Sequence, residues 1–214
     1  MVAYWRYCTA HVERRRNEPA DDMVSELLAV RTDDPDALSV AEITSVLYGL
    51  SFAGHEIVSY YLANALIAVL NNRDQWKAIC DDPSLIPGAA EEVLRYDSSQ
   101  TSWRRVALTD TEIAGVAVRA GTQVFLSLGA ANHDPTVFDD PEQFDIRRPN
   151  AAAHISFGRS IHCCLGNRLA TMEAVILLET LSKHAPGLEF ARDHVLTYTP
   201  NFTLRGPANL WLTW

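Results

Sequence analysis

The sequence predicts a mainly helical protein with small β-sheets, an α+β chain, and three observations carry that prediction. The stretch from Ser39 to about Leu70 opens with a helix-start signal and meets no proline. Near the C-terminal end, Leu165, Leu169, Met172 and Ile176 recur at spacings of four, three and four, the period of one buried helix face. Between them, Arg105 to Leu108, Ile113 to Val118 and Val124-Phe125-Leu126 are short β-rich runs set off by polar and glycine turns, which is strand punctuation.

Composition narrows the function classes. The chain has 214 residues, 48% of them hydrophobic, enough for a single domain, residues 1–214, with a sizeable core. With 27 acidic against 18 basic residues its formal charge is -9, which argues against a nucleic-acid partner, since that needs a basic face. The cysteines Cys8, Cys80, Cys163 and Cys164 match no disulfide framework and no zinc spacing, so a reducing cytoplasm is the expected compartment. The adjacent Cys163-Cys164 pair cannot bridge without straining the backbone. The apolar runs Ala65 to Leu70 and Ala174 to Leu178 fall far short of a bilayer span, and the start Met1-Val2-Ala3-Tyr4-Trp5 lacks the regions of a signal peptide. No membrane association is expected.

Taken in order, Met1 to about Asn17 reads as a helix whose basic end, Arg14-Arg15-Arg16, suits the negative end of the helix dipole. Asp21 to about Arg31 reads as a second helix with Met23, Leu27, Leu28 and Val30 as its apolar members, and Asp33-Asp34-Pro35-Asp36 as a turn. Ser39 is placed to N-cap the third helix, Glu42 to close a capping box, and Leu38 to staple against Ile43. Running to Leu70, that helix would be about 48 Å long, enough to cross a domain. Gly49 and Gly54 each cost it about 1 kcal/mol relative to alanine. Ala53-Gly54 therefore asks for a reason: close helix packing, or a flat group lying against the helix. Asp82-Pro83 breaks the chain, Pro87 opens a short helix, and Glu92 and Arg95 at separation three share its face. Residues 132–148 form a turn-rich meander, and Leu196 to Leu212 alternates like a terminal hairpin.

The chemistry converges on Phe157-Gly158-Arg159-Ser160-Ile161-His162-Cys163-Cys164-Leu165-Gly166. Cys164 falls where a glycine-bearing loop turns into a helix, and unpaired N–H groups there favour a thiolate. Read alone, Cys164 is either a small buried hydrophobe or a ligand or nucleophile. Together with Ala53-Gly54-His55-Glu56 and Glu92-Val93-Leu94-Arg95, in this order, the loop resembles the cytochrome P450 family of haem-thiolate monooxygenases, whose motifs are F-G-x-G-x-H-x-C-x-G, A-G-x-[DE]-T and E-x-x-R.

The resemblance implies the C-terminal portion of that fold, a long central helix plus the cysteine-ligand loop, and haem b with Cys164 as axial thiolate. It implies Ala53 and Gly54 over the haem, Glu56 as the acid that relays protons, and Arg105 and His162 as propionate donors. Phe157 would shield the sulfur, with Gly158 and Gly166 shaping the loop, and Thr101, Ser102 and Leu204 would border the substrate pocket. Glu92 and Arg95 become a buried ion pair joined by a later arginine. Gln143 stands where that arginine is usual, so Arg147 or Arg148 is expected to supply it. Electrons would come from a ferredoxin or from a fused or separate reductase, with Arg159 and Arg168 on the docking face, and the substrate would be a small organic molecule. Two departures stand out: Ile57 replaces the usual threonine and has no hydroxyl, and Ser160 replaces a glycine.

The resemblance covers nearly the whole chain but about the C-terminal half of the family. Met1 is therefore expected to be an internal start or a fragment's edge, and this chain alone to leave one haem face open. The alternative from another class is a non-catalytic haem-binding or haem-free remnant. A cysteine nucleophile using His162 is a third reading, without an orienting group.

Overall fold

The computed structural model describes residues 2–34 and 36–214; the turn expected at Pro35 lies outside them. Its packing divides the chain into two compact units, Met1–Glu56 and Ile57–Trp214. In the first, α1 (Val2–Asn17), α2 (Met23–Asp33) and α3 (Val40–Ala53) enclose a small core of Val12, Val24 and Ile43, with Leu27, Leu28, Leu38 and Leu47 against it. Asp22 caps α2 through the Ser25 N–H and pairs with Arg15. The capping box forms in full: the Glu42 N–H donates to Ser39 Oγ at 3.1 Å, and the Ser39 N–H donates to Glu42 Oε2 at 2.7 Å.

The single long helix expected from Ser39 to Leu70 is two. The first, α3, ends at Ala53, residues Gly54 and His55 form a turn, and α4 begins at Glu56 and runs to Asn71. The Gly54 N–H still reaches Leu50 O at 2.8 Å, but the His55 N–H bonds to Phe52 O at 3.3 Å, a tighter 3-10 closure. The sequence has no proline there, and Gly54 at φ −85° and ψ 0° takes a conformation open to other residues, so no local residue signal marks the break. Read as one segment, Val40–Asn71 contains an 18-residue window with a mean hydropathy of 1.2, enough by length and composition to permit a membrane span, where the sequence expectation found no apolar run of that length. That expectation counted uninterrupted apolar runs, whereas an average tolerates scattered polar residues. A core helix passes the same test, and α4 buries eight residues, from Tyr61 to Leu70.

The second unit is built around α4, α5 (Arg73–Asp81), α6 (Ile86–Tyr96) and α8 (Asn167–His184), whose shared core includes Ala65, Val69, Trp76, Ile79, Val93, Ala174 and Leu178. Asp82 caps the 3-10 turn Pro83–Leu85 that leads into α6. Gly88 lets α6 approach the meander closely, since a Cβ there would sit 2.9 Å from Ile146 O. Strands β1 (Ser102–Val106) and β4 (Gln123–Ser127) pair antiparallel with Arg105 opposite Val124; β2 (Thr111–Ile113) and β3 (Val116–Val118) form a hairpin turned by Ala114-Gly115, both at positive φ. The short helix α7 (Leu128–Ala131) follows, and β5 (Glu189–Phe190) pairs with β6 (Leu212–Thr213) near the terminus.

On α8 the structure reverses an expectation. Leu165, just before it, is 87% exposed, and Leu169, Met172 and Ile176 are each more than half exposed, while Ala170, Ala174, Leu178 and Ser182 are buried. Position 174 lies about 200° around the helix from 172, nearly the opposite side. Alanines let α8 pack closely on α6, and the larger apolar side chains are left on the far face.

Candidate active site

Beneath the cysteine loop lies a fully buried ion pair. Arg95 donates from Nε to Glu92 Oε2 and from Nη2 to Glu92 Oε1, both at 2.8 Å, with both side chains 0% exposed. The remaining guanidinium N–H groups reach backbone carbonyls: Nη1 to Asn132 O and Pro141 O, and Nη2 to Gln143 O. All of the guanidinium's donor capacity is thereby used, which is what a buried cation requires. Glu92 also accepts from the Asp145 N–H and from Arg148 Nε, at 3.0 and 3.1 Å to Oε1. Of the two arginines offered by the sequence, Arg148 enters the cluster and Gln143 contributes its backbone.

Asn132 is a residue the sequence reading passed over inside the meander. Fully buried, it donates from Nδ2 to Ser156 Oγ at 2.8 Å and accepts the Ile155 N–H at 2.9 Å, while its carbonyl takes Arg95. It thus joins the ion pair to the strand of chain that enters the cysteine loop. His154, also buried, accepts the Ser156 N–H at Nδ1, so Nε2 bears the proton that faces Glu91 at 3.1 Å. An Asn-x-Asp-Pro turn was the visible signal, but it spoke only of a turn.

Phe157, Gly158, His162, Cys164 and Gly166 lie on one loop. Gly158 and Ser160 both take positive φ, 69° and 68°, and residues Ser160–His162 form a 3-10 turn. The Cys164 N–H donates to Phe157 O at 2.9 Å, which folds the loop back on itself. Gly166 precedes α8, and a Cβ on it would stand 4.0 Å from Cys164 Sγ. Cys164, His162, Ile161 and Leu165 are exposed and Phe157 is half-buried. Beside the loop is a cleft of about 760 Å³ lined by His154, Phe157, Arg159, Cys163, Arg168 and Met172 among others.

Elsewhere, Thr101, Ser102 and Leu204 are brought together. Thr101 donates from both N–H and Oγ1 to Thr203 O at 2.9 and 3.1 Å, Ser102 Oγ donates to Phe202 O, and Gln100 bridges Leu204. Nearby, burial pushes the Asp97 carboxyl up, opposed by Arg205 at 2.6 Å. Arg105 is exposed on β1, with Nη1 on Arg104 O. Ala53 and Gly54 are exposed at the end of α3, and Glu56 at the first position of α4.

The family model for cytochrome P450 matches residues 84–184, the span that holds the ion pair and the cysteine loop. The chain belongs to the cytochrome P450 family and forms the C-terminal portion of its fold. It is 40% identical over 203 residues to the biotin biosynthesis cytochrome P450 of Bacillus subtilis, covering 94% of this chain and 50% of that protein. It is 40% identical over 182 residues to the 6-deoxyerythronolide B hydroxylase of Saccharopolyspora erythraea, covering 85% and 45%. Among solved structures, cytochrome P450 CREJ matches 100% of this chain and 53% of its own with a TM-score of 0.95 at 40% identity. The chain spans about half the length of the curated relatives it matches.

Proposed function

We propose that the chain is the thiolate-bearing part of a haem monooxygenase that inserts one oxygen atom from dioxygen into a small organic substrate. One observation carries the reading: an exposed cysteine at the junction of a tight loop and an 18-residue helix, with apolar side chains standing in solvent around it.

Those residues fit a flat, apolar, metal-bearing group. Cys164 offers a soft ligand, and Ile161 at 90% and Leu165 at 87% exposure are apolar surfaces ready to be covered. Cys164 would hold the iron of haem b, Arg105 and His162 would donate to its propionates, and Phe157, Gly158 and Gly166 would shape the loop against it. When bound, the haem supplies the redox chemistry that an axial thiolate directs toward O–O cleavage.

The chain's own residues would do the rest. The Cys164–Phe157 backbone bond holds the sulfur in place, and the Glu92–Arg95–Arg148 cluster with Asn132 braces the loop from below. By the family resemblance, Ala53 and Gly54 would lie over the haem and the Glu56 carboxyl would relay a proton. Ile57 cannot extend that relay, so an ordered water or a substrate hydroxyl completes it. Thr101, Ser102 and Leu204 would line the substrate pocket. A ferredoxin or a fused or separate reductase would supply electrons, with Arg159 and Arg168 beside the loop as basic contacts for an acidic partner, in the cytoplasm.

The test is the absorption spectrum of the haem-loaded, dithionite-reduced chain under carbon monoxide, for wild type and Cys164→Ser. A strongly red-shifted Soret band that disappears in the variant is the expected result; an ordinary Soret position, or no haem uptake, overturns the reading. That outcome would favour the second reading, a non-catalytic remnant, which Ile57 and the left-handed Ser160 support.

A further inference from the structure

Asn64 on α4 is fully buried. Its Nδ2 donates to two carbonyls far apart in sequence, Asp97 O at 3.0 Å past the end of α6 and Arg205 O at 3.1 Å in the terminal loop. Its Oδ1 is just as buried and accepts no hydrogen bond among the described residues. The amide orientation is therefore settled, since turning it over would set Oδ1 against two carbonyl oxygens. Burying an unfilled acceptor carries a stability cost that a leucine of similar volume avoids. What the amide returns is the fork of its two donors.

The two segments that Asn64 holds form a ribbon. The Arg205 N–H donates to Ser99 O at 2.8 Å, and Gln100 Nε2 donates to Thr203 O at 3.0 Å and Ser102 O at 2.7 Å. Arg205 also pairs with Asp97 and stacks its guanidinium 4.0 Å from the centre of the Tyr198 ring. These bonds hold the ribbon together without stating where it lies on α4. Packing against α4 comes at Gly206, where a Cβ would fall 1.9 Å from Tyr60 Cδ1. Packing sets how near the ribbon comes, while a bidentate hydrogen-bond fork also sets its position along the helix.

We infer that Asn64 is a positioning residue: its fork sets where Thr101, Ser102 and Leu204 sit along α4, and so shapes the wall of the substrate pocket. This rests on the pocket proposed above.

Two measurements on Asn64→Leu and Asn64→Ser, in the full haem-loaded chain, test it. Backbone hydrogen exchange in residues 97–103 and 201–207 should quicken by about tenfold, the equivalent of one lost hydrogen bond, with α8 unchanged. The ratio of 4-phenylimidazole to imidazole affinity should shift by about threefold or more while imidazole binding alone holds, because only the larger probe reaches the pocket wall. Exchange that stays the same, a rise spread equally over α8, equal shifts for both probes, or failure of both variants to fold would overturn the inference. The carbon monoxide spectrum reports separately on the haem reading; if that fails, the exchange result alone still decides whether Asn64 holds the ribbon.

Discussion

The ion-pair cluster and the cysteine loop are neighbours held in opposite ways. Arg95 and Glu92 are sealed from water and every polar atom of the guanidinium is spoken for. The loop above them is exposed, takes two left-handed residues within a few positions, and rests largely on backbone bonds such as Cys164 to Phe157. A buried charge must find its partners within the protein, so it forces a single arrangement on the segments that supply them. An exposed loop faces no such demand and is free to present its cysteine.

The sharpest way to break this contrast is Arg95→Ala. It leaves Glu92 buried beside Arg148 alone and should cost about 3 to 5 kcal/mol by chemical denaturation, or prevent soluble folding. Cys164→Ser should change the unfolding free energy by less than about 0.5 kcal/mol, since the side chain is exposed. A paired glycine comparison comes next. Gly88→Ala drives a Cβ to 2.9 Å from the Ile146 carbonyl and should cost about 1 to 3 kcal/mol, whereas Gly166→Ala meets Cys164 Sγ at an ordinary 4.0 Å and should leave stability nearly unchanged. Equal losses at the two sites would erase the distinction between them.

Ser160→Gly sharpens the comparison from the other side. It relieves a non-glycine residue at φ 68° and should stabilise the chain by about 1 kcal/mol in the same denaturation assay. Loss of stability would mean that the loop's strain lies elsewhere. The smallest effect is expected outside both regions. The Ser25 N–H and Arg15 hold the Asp22 carboxyl at about 2 against an ordinary 3.8. A folded-state value below the unfolded one means that this contribution is complete above about pH 4 and fades as pH falls toward 2. Asp22→Asn should flatten the loss of α2 amide protection over that window, as read by hydrogen exchange at stepped pH.

Much of this was legible in the residues, and the reasons are local. Ser39 and Glu42 lie three apart, so their reciprocal bonds need only one turn of helix. Glu92 and Arg95 share a face by the same spacing, and a cysteine after a glycine-bearing loop and before an apolar period must fall near a helix start. What the residues alone could not decide were choices between chemically similar options at long range. Arg147 and Arg148 carry the same charge, and only the folded meander puts Arg148 on Glu92. The helix α8 has two apolar faces, and hydrophobicity ranks Leu169 and Met172 above Ala170 and Ala174; the close approach of α6 rewards small side chains instead. The break at Gly54 and His55 and the fork of Asn64 are invisible for the same reason. A single chain position encodes which bonds it can make with near neighbours, while the partner it meets across the fold is chosen only when distant segments compete for one space.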